Sequence, residues 1–120
     1  MNSKPSKVPN VCAELYTADP LNRRLRISWD HLPCHLQNGA NIAHYIIHYN
    51  TTSGSEVESF LSNDHRGSTH CSVSGDGWQC FILIPKKQNE IYTFQVAAHN
   101  SNGDGQFSDP VYTMPGTQGI

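Results

Sequence analysis

Leu25-Arg26-Ile27-Ser28-Trp29 carries apolar side chains at odd positions and polar ones at even positions. Tyr45-Ile46-Ile47-His48-Tyr49 repeats the arrangement, with Tyr45, Ile47 and Tyr49 as its apolar set. In Tyr92-Thr93-Phe94-Gln95-Val96-Ala97-Ala98-His99 the even positions are apolar throughout. A period of two marks a strand with one face in a core, because successive side chains of a pleated chain point to opposite sides. A helix would need apolar residues at i, i+3, i+4 and i+7, and no stretch of about a dozen residues shows them. The chain is predicted to be all-β.

Weaker strands fall around these three. Val11 to Leu15 follows a start containing Pro5 and Pro9, and Val57 to Phe60 follows a Thr-Thr-Ser-Gly-Ser turn. Gln79 to Ile84 is an apolar run stopped by Pro85, which predicts a strand buried on both faces or at a sandwich centre. Val111 to Met114 closes the ordered part before Pro115. Turn chemistry separates them: Asp19-Pro20-Leu21-Asn22, Asn38-Gly39, Ser74-Gly75-Asp76-Gly77 and Asn102-Gly103-Asp104-Gly105. Seven short strands in about 100 residues predict a two-sheet antiparallel sandwich. Residues 1–7 read as a flexible tail, 8–114 as the domain and 115–120 as a linker. Loops 30–41, 61–79 and 100–109 are expected to converge at one pole.

The 120 residues suffice for one domain with a real core. Eight Lys+Arg against ten Asp+Glu leave a net charge of −2, with neither sign clustered. The basic stripe of a nucleic-acid binder and the basic amphipathic helix of a membrane-surface module are both missing. No apolar run approaches the roughly 18 residues of a membrane-spanning helix, so direct membrane insertion is not expected. Met-Asn-Ser-Lys-Pro-Ser-Lys lacks the apolar stretch of a signal peptide. Two readings follow: a cytosolic protein, or a piece of a longer secreted or membrane chain with Met1 supplied by expression.

Over residues 8–114 the sequence resembles a fibronectin type III domain. The resemblance rests on Val8-Pro9, on Ile27-Ser28-Trp29 followed by Pro33, and on Gly39, Ile42, Tyr45, Ile47 and Tyr49. It continues through Leu83-x-Pro85, Tyr92-x-Phe94-x-Val96-x-Ala98-x-Asn100 and Gly103-x-Gly105-x-x-Ser108. Pro85 and Tyr92 stand farther apart than the family usually has them, so Lys86-Lys87-Gln88-Asn89 reads as a local insertion. The resemblance implies a seven-stranded immunoglobulin-like β-sandwich. Trp29, Tyr45, Ile47, Tyr49, Leu83, Tyr92, Phe94 and Val96 form its expected core, with Tyr92 capping an upstream backbone group. Some family members carry an integrin-binding Arg-Gly-Asp where this chain has Asn102-Gly103-Asp104; the arginine is lacking, so that activity is not carried over.

Cys71 and Cys80 flank Ser-Val-Ser-Gly-Asp-Gly-Trp-Gln. Folded as a hairpin about Gly75-Asp76, the segment sets the two cysteines opposite each other, at about the 4.5–5.5 Å Cβ spacing a disulfide can bridge. Cys12 and Cys34 are then left to pair, and in a seven-strand sandwich both would sit at the same pole. Four cysteines allow three connectivities, and this one is favoured. Four free core thiols would fit a cytosolic chain, but Cys34 and Cys71 lie in polar, loop-like surroundings. A zinc site would want a closely spaced cysteine pair, which is absent. Disulfides persist in oxidising compartments, and Asn50-Thr51-Thr52 is an N-glycosylation sequon, so an extracellular or cell-surface fragment is expected, with Asn50 as the glycan site.

His44 and His48 fall on the strand face opposite Tyr45, Ile47 and Tyr49. If strands 42–49 and 92–99 pair antiparallel with Tyr49 opposite Phe94, His44 faces His99, close enough to share a metal or to repel when protonated. The favoured reading is two solvated histidines with no metal. No nucleophile motif, phosphate-cradling loop or paired carboxylates occur, so no catalytic residue and no cofactor are expected. A non-catalytic protein-interaction module remains, monomeric in isolation, drawn from a tandem-domain receptor or adhesion protein. A passive spacer is the alternative. Candidate interface residues are Trp78, at a hairpin tip as an exposed anchor or else folded back on the hairpin, with Asp76, Asp104 and Phe107. The outer face bearing His44, Ile46, His48, Thr93, Gln95 and Ala97 is a second candidate surface.

Overall fold

A computed structural model of the chain describes residues 3–15, 24–51, 54, 57–63, 70–83 and 91–113. Its strands are β1 (Cys12–Leu15), β2 (Arg24–Asp30), β3 (His44–Thr51), β4 (Val57–Leu61), β5 (His70–Ser74), β6 (Gly77–Leu83), β7 (Tyr92–Asn100), β8 (Gly103–Asp104) and β9 (Val111–Thr113). A single 3-10 turn among the described residues, Cys34–Leu36, interrupts them. Sheet A runs β1-β2-β6-β5; sheet B runs β4-β3-β7-β8, with β9 also paired to β7. Every pairing among the described residues is antiparallel. The expected two-sheet sandwich is the fold, with β5 and β8 added to the strands read from sequence.

Alternation puts Leu25, Ile27 and Trp29 of sheet A against Tyr45, Ile47, Tyr49, Phe94 and Val96 of sheet B, all of them buried. Trp29 meets Tyr45 edge-on with ring centroids 5.4 Å apart, and Tyr49 meets Phe94 at 5.6 Å. Each such aromatic removes about 150–250 Å² from water, so these rings dominate the core. Tyr92 is buried as expected. The turn it is expected to cap, residues 84–90, lies outside the described residues, as do the 86–89 insertion and the side chain of Leu83.

Strand β6 takes the second of its two expected places, in the interior of a sheet, and not the first. It is not buried on both faces: Cys80 and Ile82 are buried while Gln79 and Phe81 are half-exposed. Its neighbours β2 and β5 lie beside it in the sheet, so only the side toward sheet B receives a covering layer. The far edge of β7 is also divided. Strand β8 holds its C-terminal end and β9 its N-terminal end. Between them the loop keeps two ladder bonds, Gly105 N–H to the Ala98 carbonyl and Ser108 N–H to the Val96 carbonyl.

Candidate functional site at the loop pole and the outer face of sheet B

At one pole the N-terminal segment is built into the fold rather than hanging free. Ser3 N–H donates to the Asn38 carbonyl and Ser6 N–H to the Leu36 carbonyl. Asn38 returns its amide to the Lys4 carbonyl at 2.8 Å. Asn100, fully buried, donates to the carbonyls of Gln37 and Ser3 and accepts from the Asn102 N–H. Residues 3–7, expected as a flexible tail, thus run between the 34–38 turn and the 100–105 loop, with Pro5 and Val8 buried. Gly105 permits this passage: a Cβ there would stand 2.4 Å from the Pro5 carbonyl oxygen. The polar composition of the segment suggests solvation, but it docks mainly through backbone hydrogen bonds, which composition does not register.

Asn100→Ala is therefore expected to lower stability by about 1–2 kcal/mol, since it removes the bond to the buried Gln37 carbonyl and the acceptor of the Asn102 N–H, while the Ser3 carbonyl keeps the Asn102 amide. Amide exchange at Ser3 and Ser6 should accelerate in the variant. A denaturant midpoint equal to wild type would refute this account of the pole.

The 30–41 loop meets both of its expected neighbours, Asn100 and the β5–β6 tip, but 70–74 and 77–79 of the expected 61–79 loop are strand and 64–69 lie outside the described residues. His31 N–H donates to the Asp76 carbonyl, which joins the 30–41 loop to the β5–β6 hairpin tip. The Tyr45 hydroxyl accepts the Leu32 N–H at 2.9 Å and lies 2.7 Å from His31 Nδ1. Burial raises the Tyr45 phenol above its ordinary value, partly offset by the Leu32 hydrogen bond, so it stays protonated and can donate to His31. Cys71 stands opposite Cys80 in the β5–β6 register, and the two form a disulfide facing the core.

Of the two readings of Trp78, the exposed anchor does not hold and the inward-folded ring does. It shares the inward face with Trp29, its neighbour across β2, and packs half-buried with its ring centroid 6.2 Å from Tyr45. The indole closes the end of the core, a gain in apolar burial that an exposed position would forgo. Asp76 stays exposed at the tip.

The other cysteine pair is also corrected: Cys12 and Cys34 are unbonded and exposed. Cys12 lies opposite Ser28, whose neighbours Ile27 and Trp29 point inward, so Cys12 faces out of sheet A. Cys34 stands exposed in the 3-10 turn whose Leu36 carbonyl holds Ser6, whereas Cys12 belongs to the edge strand β1. A disulfide needs Cα atoms within about 7 Å.

On the outer face of sheet B, His44 pairs with His99 in the register read from sequence, and the two imidazoles stack with centroids 4.5 Å apart and planes 6° from parallel. His99 Nδ1 lies 2.6 Å from an Asp104 carboxylate oxygen across the β7–β8 hairpin. Burial lowers the His44 pKa from its ordinary value of 6.5, and charge on His99 lowers it further, against a smaller opposing pull from Asp104. His48 Nδ1 contacts the Ser59 hydroxyl at 2.7 Å, and its ring meets Phe107 edge-on at 6.2 Å.

Phe107 is 38% exposed, yet its position is fixed by the next residue. The Ser108 hydroxyl accepts the Val96 N–H, and the Ser108 carbonyl accepts the Gln95 side-chain amide. Lys7 pairs with Asp109 at 3.0 Å on the same loop. Asp104 and Phe107 therefore share one face, whereas Asp76 and Trp78 sit at the hairpin tip. Sequence reading misses Tyr112, 64% exposed and opposite Thr93. The alternation of Val111 with Tyr112 is the signal that could have found it. Asn50, also opposite Thr93, is half-buried; Thr52 of its sequon lies outside the described residues.

Two antiparallel sheets closed over one aromatic core, with function left to loops and outer faces, define an immunoglobulin-like sandwich domain. A family model for the fibronectin type III domain matches residues 17–114, and the chain belongs to that family. The solved third fibronectin III domain of human KIAA0343 protein is similar at 18% identity and a TM-score of 0.66, covering 96% of this chain and 86% of that one. The FN5 domain of Drosophila Lar is similar at 21% identity and a TM-score of 0.55, covering 92% and 95%. Astrotactin-2, a perforin-like membrane protein involved in neuronal development, is similar at 13% identity and a TM-score of 0.59. That match covers 92% of this chain and 21% of the other. At these identities the likeness concerns the fold alone. No curated protein matches the chain. Fibronectin type III domains are commonly protein-interaction modules of multidomain proteins and generally lack catalysis.

Proposed function

We propose that this domain is a non-catalytic extracellular protein-interaction module, one of several tandem domains in a cell-surface receptor or adhesion protein and monomeric in isolation. The observation that carries the proposal is Phe107, a part-exposed aromatic held in place by the Ser108 bonds to β7, on the outer face of sheet B, where His44, Ile46, His48, Thr93 and Gln95 are half-exposed and Ala97, expected on that surface, is fully buried. A pre-ordered aromatic loses little entropy on docking, which favours it as an anchor. His48 meets Phe107 edge-on, Ile46 and Asp104 belong to the same sheet, and another protein's surface is the partner class they fit. The Cys71–Cys80 bridge supports an oxidising compartment. An N-glycan on Asn50 is part of the same proposal. The proposed domain, 8–114, takes in residues 3–7 as well, because Ser3 and Ser6 are bonded into the pole.

A spacer role has one observation in its favour: the bonds fixing residues 3–8 would hold an N-terminal neighbour at a set angle. Binding of the labelled domain to intact cells separates the two. An interaction module should bind saturably and lose at least about ten-fold in affinity on Phe107→Ala, with its amide spectrum otherwise kept. Binding indifferent to Phe107 would refute this surface, and no binding to any cell type would leave the spacer.

A further inference from the structure

We propose that His44 and His99 form a surface site for one divalent transition-metal ion of the zinc, nickel or copper class, with Asp104 orienting His99. The two residues face each other on β3 and β7, adjacent strands whose ladder fixes their backbones. Their rings are already parallel within 6° at 4.5 Å. Two nitrogens on a tetrahedral zinc, each about 2.0–2.1 Å from it, stand about 3.3 Å apart. Stacked rings aim their in-plane lone pairs side by side, so binding one ion requires the free edges to tilt toward each other about the side-chain torsions while the strand ladder stays fixed.

Asp104 supplies what a lone histidine lacks. Its carboxylate takes the Nδ1–H of His99 at 2.6 Å, which leaves the Nε2 lone pair as the free ligand. A carboxylate behind a metal-binding imidazole fixes its tautomer and raises its basicity. Imidazole nitrogen selects zinc, nickel and copper over calcium and magnesium, which want oxygen. No group of three or more His, Cys, Asp or Glu side chains among the described residues could hold a metal. The pair therefore offers two positions and leaves the others to water, so the ion exchanges readily and a side chain from another protein can complete its shell.

Zinc chloride titrated into the whole chain, with Cys12→Ser and Cys34→Ser to silence the exposed thiols, tests this by NMR of the histidine rings. The His44 and His99 signals should shift together and saturate at one ion per chain. His31, His35 and His48 should need at least about ten-fold more zinc. Asp104→Asn should weaken the site about 10–100-fold. His44→Gln should weaken zinc binding at His99 at least ten-fold, and His99→Gln should do the same at His44, with dispersed spectra confirming both folds. All histidines shifting at one zinc concentration, or His99 binding unchanged in His44→Gln, would overturn the proposal.

Discussion

Phe94→Ala is expected to destabilise the domain by about 3–5 kcal/mol, the upper range for truncating one buried side chain. Phe94 is fully buried near the start of β7, in one cluster with Tyr49 at 5.6 Å and Tyr92 at 6.1 Å. Both neighbours are anchored in strand ladders, so the sheets cannot close over the void, and the cavity cost adds to the lost transfer free energy. Against a total stability of about 5–15 kcal/mol, such a loss leaves little margin at body temperature. The urea midpoint should fall sharply while the slope of the transition stays constant. A loss under about 1 kcal/mol would mean that this ring is not packed in the buried Tyr49–Tyr92 cluster.

Period-two patterning carries the fold because one strand face is dry and the other wet, and that rule acts residue by residue. It places Trp29, Tyr45 and Phe94 inside and, once Tyr49 is set opposite Phe94, brings His44 against His99 across two strands far apart in sequence. The Cys71–Cys80 bridge is legible for the same reason, since a hairpin is a local object whose centre fixes its pairs. What escapes depends on contacts that no local pattern encodes. Residues 3–7 bind through backbone groups to a turn and a loop lying far along the chain. Elimination matches Cys12 to Cys34, whereas the sheet face Cys12 occupies follows from its register with Ser28. Sequence position alone puts Trp78 at a tip, yet strand parity turns it inward beside Trp29. Parity, applied to every residue of β6, shows this directly. The Phe107 anchor rests on Ser108, a residue of the family pattern whose hydroxyl satisfies a buried N–H.

Removing the Cys71–Cys80 disulfide is the second large effect expected, about 2–3 kcal/mol for the Cys71→Ala, Cys80→Ala double variant. The cysteines are nine residues apart, and closing a loop of this size removes about 2.7 kcal/mol of chain entropy from the unfolded state. Alanine is the proper replacement because both sulfurs are buried, and serine would add hydroxyls without partners. The loss should not be uniform. Strand β5 is an edge strand, bonded only to β6 among the described residues, so without the covalent link its local opening draws on ladder bonds alone. Amide exchange should therefore accelerate most in residues 71–74 and least in β3 and β7 at the centre of sheet B. The tip should loosen with it, weakening the His31–Asp76 bond that ties the hairpin to the 30–41 loop. A reducing agent applied to the wild-type chain should reproduce the pattern without any substitution. A double variant within about 0.5 kcal/mol of wild type, with β5 exchange unchanged, would show that edge strand to be held by its packing and not by the bridge.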